Sequence, residues 1–163
     1  LGDVDDDGNL DAFIANHDQS NKVWLNDGSG TFTDSGQSLG TSTSLKGSLG
    51  DMDADGDLDA FVANKNQANK VWINDDNGTF TDSGQSLGAS SSFDVELGDV
   101  DDDGDLDAFV ANGQGNKVWI NDGNGNFTDS GQSLGNSGSR DVSLGDVSPH
   151  PIVKIRSPMM RAQ

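Results

Sequence analysis

Asp3-Val4-Asp5-Asp6-Asp7-Gly8-Asn9-Leu10-Asp11 recurs as Asp51-Met52-Asp53-Ala54-Asp55-Gly56-Asp57-Leu58-Asp59 and again as Asp99-Val100-Asp101-Asp102-Asp103-Gly104-Asp105-Leu106-Asp107. The shared pattern, DxDxDGxLD, has a direct chemical reading. Ca²⁺ is a hard cation that takes six to eight oxygen ligands at about 2.3–2.6 Å. Alternate residues of a tightly curled loop can point at one centre. Positions one, three, five and nine offer a carboxylate in every copy, and position seven can offer its backbone carbonyl. The predicted ligand sets are Asp3, Asp5, Asp7, Asn9 and Asp11; Asp51, Asp53, Asp55, Asp57 and Asp59; and Asp99, Asp101, Asp103, Asp105 and Asp107. Position six is Gly each time, as a sharp turn with positive φ demands.

A merely solvated acidic loop has no reason to keep Asp at odd positions, Gly at six and Leu at eight in three copies. Without a cation it would also be costly: two carboxylates 4 Å apart repel by roughly 4 kcal/mol at an effective dielectric near 20. An EF-hand needs a bidentate Glu at position twelve, where this chain has Ile14, Val62 and Val110. The calcium-binding nonapeptide β-helix has far too short a period. The copies here begin at Leu1, Leu49, Leu97 and Leu144, at spacings of 48, 48 and 47 residues. One loop per unit of this length points to propeller blades or a stacked array.

Outward from each loop the repeat reads as β-structure. A short run, apolar on both alternating faces, spans Leu10 to Asn16, Leu58 to Asn64 and Leu106 to Asn112, as suits a strand covered on both sides. A polar turn follows, His17 to Asn21 in the first copy and the shorter Gly113-Gln114-Gly115 in the third. Next come Lys22 to Asn26, Lys70 to Asn74 and Lys117 to Asn121, then Gly- and Asn-rich hairpin signals. A third strand is predicted from Phe32, Phe80 or Phe127 through Thr-Asp-Ser-Gly-Gln-Ser-Leu. A fourth enters the next loop: Leu45 to Leu49, Phe93 to Leu97 and Asp141 to Leu144. The fold class is therefore all-β, three four-stranded antiparallel units and a partial fourth, as propeller-type blades or a stacked array. One such sheet cannot bury two apolar faces alone. Stacked blades can, with Trp24, Trp72, Trp119 and the Phe residues between neighbours.

The string LGDVDDDGDLDAFVAN…NKVWINDGNGNFTDSGQSLG resembles the VCBS branch of the FG-GAP repeat family, the blades of integrin-α-like β-propellers. The resemblance covers residues 1–147, as repeats 1–48, 49–96 and 97–143 and the start of a fourth at 144–147. It implies that the DxDxDGxLD loop joins the first and second strands of a blade and holds Ca²⁺ through the five positions named above. It also implies an extracellular or cell-surface setting, with a role in adhesion, in binding or beside enzymes. The Phe-Gly and Gly-Ala-Pro elements that name the wider family are not evident. Three loops are also fewer than the four to eight blades of a propeller. The fourth repeat breaks after Val147: Ser148 and His150 replace the second and third Asp and Pro151 replaces the Gly, so no Ca²⁺ is expected there. The tail 148–163 holds all three prolines and no acid. It is readable as disordered, as an edge strand around Ile152-Val153-Lys154-Ile155, or as a non-native end.

Composition narrows the function. The 163 residues carry a net charge of −19, which argues against nucleic acid and anionic membrane as partners. Twelve of the 28 acidic residues are the carboxylates at positions one, three, five and nine of the three loops, and three bound Ca²⁺ would bring the charge to −13. Cysteine is absent, and no run of 18 apolar residues could span a membrane. The start at Leu1 without Met suits a mature fragment or a segment of something longer. No catalytic set assembles: there is no Cys or Tyr, and His17 and His150 recur in no other copy. Asn77-Gly78-Thr79 and Asn126-Phe127-Thr128 match glycosylation sequons. The expectation is a non-enzymatic, Ca²⁺-stabilised extracellular or cell-surface repeat protein, structural or adhesive, with about one Ca²⁺ per complete repeat. The alternative is a glycan- or ligand-binding module attached to a secreted enzyme. Open blade faces at both ends predict head-to-tail self-association into a ring or filament, or further repeats of the same chain in that place.

Overall fold

The computed structural model describes residues 1–145, and every element in them is a strand or a turn. Three antiparallel sheets follow one another along the chain. The first contains β1 (Ala12–Ile14), β2 (Lys22–Asn26) and β3 (Phe32–Asp34). The second has the order β4 (Ser44–Gly50), β5 (Asp59–Asn64), β6 (Lys70–Ile73) and β7 (Thr81–Asp82). The third repeats it with β8 (Ser92–Gly98), β9 (Asp107–Asn112), β10 (Lys117–Asn121) and β11 (Phe127–Asp129). These are propeller-type blades, and the three sheets do not close on one another. Each four-stranded sheet takes its first strand from the end of the preceding sequence repeat. Leu49 thus lies opposite Ala60, and Leu97 opposite Ala108. In the first sheet only the bridge between Gly2 and Asp11 stands in that place.

Two strand expectations are corrected. The third strand does not run on through the DSGQSL segment. The Asp34 carboxylate accepts a hydrogen bond from the Gly36 amide at 2.8 Å, and the same turn forms at Asp82–Gly84 and Asp129–Gly131. This Asx turn ends the ladder, and the chain rejoins the sheet edge at single bridges, Asn21–Leu39, Asn69–Leu87 and Asn116–Leu134. Residues Asp141 to Leu144 form no strand either. In the other two copies this segment pairs with the strand beyond the following loop, and that stretch of the fourth repeat lies outside the described residues. Instead the segment lies along the third sheet: the Val142 amide donates to Asp94 Oδ2 at 3.0 Å and the Arg140 guanidinium stacks on Phe93. The fourth-loop reading at Ser148, His150 and Pro151 and the three readings of the tail also fall outside the described residues.

Burial follows the stacking. One apolar cluster joins the first and second sheets through Val4, Val23, Leu39, Ala60, Val62, Trp72 and Phe80. The other joins the second and third through Met52, Phe61, Val71, Leu87, Val95, Val110, Trp119 and Phe127. Phe13 meets Phe80 edge-on at 5.6 Å between ring centres, and Phe61 meets Phe127 likewise at 5.4 Å. Trp72 lies over Gly40 and Trp119 over Gly88; a Cβ at either glycine would fall 3.3 or 3.2 Å from the indole, and both have φ near +70°. The expectation that all three Trp are packed between neighbours holds for Trp72 and Trp119, each 8 % exposed, and fails for Trp24 at 36 %. Trp24 occupies the outer face of the first sheet, where no blade precedes it among the described residues.

Polar side chains tie neighbouring sheets as regularly as the apolar ones. Gln37 spans the first joint: its Nε2 donates to the Gly78 carbonyl at 2.6 Å and its Oε1 accepts from the Phe80 amide at 2.8 Å. Gln85 makes the same pair of bonds to Gly125 and Phe127 at 2.7 and 2.8 Å. Asn74 donates to the Val4 carbonyl and Asn121 to the Met52 carbonyl, at 2.8 and 2.7 Å. A glutamine that gives one bond and takes one from a facing backbone satisfies groups the sheet ladders leave open.

Candidate metal centres

Each DxDxDGxLD loop connects the first two strands of its blade, and the local chain is bent by two positive-φ residues. Position six is glycine at φ +88°, +107° and +102° (Gly8, Gly56, Gly104), as the sequence requires. Position four is also left-handed, at φ +58°, +63° and +65° (Asp6, Ala54, Asp102). That feature is not evident in the sequence, because one copy places an alanine where Asn, Asp or Gly is favoured.

The bends bring three carboxylates of each loop together: Asp3, Asp5 and Asp11; Asp51, Asp53 and Asp59; Asp99, Asp101 and Asp107. One oxygen from each lies within 4.8 Å of the others. The side chains at positions five and seven are not part of this convergence. Asp7, Asp55 and Asp103 are exposed and accept hydrogen bonds from the backbone amides of Asn9, Asp57 and Asp105 at 2.8–3.0 Å. Asp57 is buried and accepts from the Asp76 amide, while Asn9 and Asp105 are half-buried.

Position nine has a second duty that sequence reasoning missed. Asp11, Asp59 and Asp107 have no solvent exposure, and each uses both oxygens on backbone amides. Asp59 Oδ2 accepts from Met52 and Oδ1 from Asn74, both at 2.9 Å. Asp11 clamps Val4 and Asn26 in the same way, and Asp107 clamps Val100 and Asn121. This carboxylate therefore closes the loop onto the end of the strand that follows its own, β2, β6 or β10. Burial pushes Asp59 up to about 6, against which its two backbone hydrogen bonds act. Asp5, Asp53 and Asp101 are also raised, by desolvation first and then by neighbouring carboxylates.

The donor set fits a hard cation. Asp3 Oδ1, Asp5 Oδ1, Asp51 Oδ1 and Asp53 Oδ1 are buried oxygens that no hydrogen-bond donor faces among the described residues. An acceptor in that state is costly unless something positive faces it. All-oxygen donors without Cys or His favour Ca²⁺ or Mg²⁺ over transition metals. Each of the first two loops also lies beneath the hairpin turn of the next blade. Gly78 lies against Asp5 and Val4, and the Gly125 amide donates to the Met52 carbonyl at 2.8 Å. No such turn covers the third loop among the described residues, and Asp99 and Asp101 are exposed.

Blades of this construction, with an acidic loop between their first two strands, define a class of repeat modules. The profile of the FG-GAP-like repeat matches residues 3–50, 51–110 and 99–148. The chain belongs to the FG-GAP-like repeat family. Comparison with curated proteins found no match. No helix among the described residues is long and apolar enough to cross a membrane.

Proposed function

We propose that this chain is a non-enzymatic, Ca²⁺-stabilised structural module of an extracellular or cell-surface protein, serving adhesion or display. The observation that carries this reading is the threefold convergence of carboxylates with buried, donor-free oxygens in the first two loops. Asp3, Asp5 and Asp11 and their counterparts would hold the ion, with Asp7, Asp55, Asp103 and the carbonyl at position seven completing its shell. A bound cation supplies the positive charge that these oxygens lack, and so links loop order to blade stacking. Millimolar extracellular Ca²⁺ suits sites of this kind.

The test is calorimetric titration with Ca²⁺, followed by melting in Ca²⁺ and in chelator. Three sites with dissociation constants near 10⁻⁴ M would add about 4–5 kcal/mol at 1–2 mM Ca²⁺. A midpoint indifferent to chelator would overturn the reading. A glycan-binding role has one observation behind it, a polar cleft of about 360 Å³ between the turns of the second and third blades, lined by Asn66, Ser90, Ser91 and Gln114. Sugar binding on a glycan array, abolished by Gln114→Ala, would favour it.

A further inference from the structure

The two ends of the blade stack expose complementary halves of a joint that the chain already makes twice. On the outer face of the first sheet Leu10, Trp24 and Phe32 are 58 %, 36 % and 41 % exposed. Their counterparts in the second sheet, Leu58, Trp72 and Phe80, pack against the first. On the outer face of the third sheet Val100 and Leu134 are exposed, whereas their counterparts Met52 and Leu87 are buried against the sheet that follows. We propose that the outer face of the third sheet receives the outer face of the first sheet of a second copy of this chain, head to tail, through the contacts already present between its own blades.

The repeat specifies the joint residue by residue. Gln132 occupies the position of Gln37 and Gln85 and is exposed. Its amide matches the carbonyl of Gly30 and the amide of Phe32 in the second copy, as Gln85 matches Gly125 and Phe127. Gly135, at φ +77° with nothing among the described residues within 4 Å of its Cβ position, repeats the seats that Trp72 and Trp119 take on Gly40 and Gly88, and Trp24 is their counterpart. A cleft of about 440 Å³ lined by Gly98, Asp99, Val100, Leu144 and Gly145 opens where the incoming Leu10 belongs, since Leu58 packs on Gly2 and Leu106 on Gly50. Charge agrees at the innermost strands. Lys46 pairs with Asp94 on one side at 3.1 Å, and the position facing it on the other side would be filled by Asp141 of the second copy. Such a heterologous contact closes into a ring or extends as a filament, according to the rotation between blades.

Sedimentation velocity on the 163-residue chain in Ca²⁺ tests the joint. The expected result is a mass above 17.0 kDa that grows with concentration, and grows further with added salt, because the net negative charge of each chain, −19 before any Ca²⁺ binds, opposes association. Trp24→Asp and Gln132→Ala should each weaken association by about tenfold or more, the scale of an interface anchor. Both should leave the melting midpoint of the dissociated chain in place, because both side chains face outward. Gln85→Ala, in the joint inside the chain, should lower that midpoint. A folded monomer at all concentrations, or association indifferent to both outward variants, overturns the proposal. The first result would leave the two faces to further repeats of a longer polypeptide.

Discussion

Replacing two aspartates of the same loop separates the clamp from the ligand. Asp59→Ala removes the acceptor of two buried amides, Met52 and Asn74. Unpaired buried amides cost about 1–3 kcal/mol each, so this variant should lose about 2–6 kcal/mol even in chelator, and in calcium the stabilisation of that site besides. Asp53 faces the same centre, but its Oδ1 has no donor and its neighbours Asp55 and Asp51 repel it. Asp53→Ala should therefore lose one site's worth of calcium stabilisation, about 1.4–1.8 kcal/mol at 1–2 mM Ca²⁺. In chelator the same change removes a repelling charge and should raise the midpoint slightly. At about 3 °C per kcal/mol for a chain of this size, both effects are readable by differential scanning calorimetry. An Asp53→Ala midpoint lowered equally in calcium and in chelator would refute the division of labour, as would an Asp59→Ala loss that vanishes in chelator.

Ala54 is an alanine held at φ +63°, so Ala54→Gly should stabilise the fold by about 1 kcal/mol, seen as a higher midpoint in calcium and chelator alike. Gly88→Ala meets both a left-handed backbone and the Trp119 ring and should lower the midpoint, with a cost of about 1–3 kcal/mol. Acid should act oppositely with and without metal. The Asp59 carboxyl has a folded pKa of about 6 against 3.8 for its ordinary value, so its contribution is greatest below pH 4 and is lost as pH rises through 6. The midpoint in chelator should thus climb as pH falls from 7 to 5, whereas in calcium proton competition for the carboxylates should lower it. Titration of the monomer should resolve a weaker third site, whose Asp99 and Asp101 are exposed; three equal affinities would contradict this.

The acidic loops were legible because their information is local: Asp at odd positions and Gly at six state a turn and a donor set within nine residues. The strand alternation was equally local, and the order of strands followed from it. The clamp at Asp11, Asp59 and Asp107 was not legible, because its partners Asn26, Asn74 and Asn121 lie 14 or 15 residues away on another strand. The glutamines were hidden for a different reason. Gln37 and Gln85 sit in a segment that reads as strand, and their partners lie 41 to 43 and 40 to 42 residues along the chain. Their recurrence in each copy of DSGQSL was the available signal, since an exposed loop has no physical need of one particular amide. Trp24 misled for the opposite reason: its sequence surroundings match those of Trp72 and Trp119, and only the neighbouring blade makes the difference.

The hairpins of the second and third blades each roof the acidic loop of the blade before them. The chain is therefore a polar object with unlike ends. At the Trp24 end the chain would offer a neighbour apolar and amide groups, its own hairpin and Lys46. At the Asp99 end a docking hairpin would also shield a cation from water. Reciprocity then requires that calcium bound at Asp99, Asp101 and Asp107 favour docking by the same free energy with which docking favours calcium. Under the proposed head-to-tail joint, a blade stack would lengthen or close under the control of the ion at one of its two ends, and calcium concentration would set how many blades stand together.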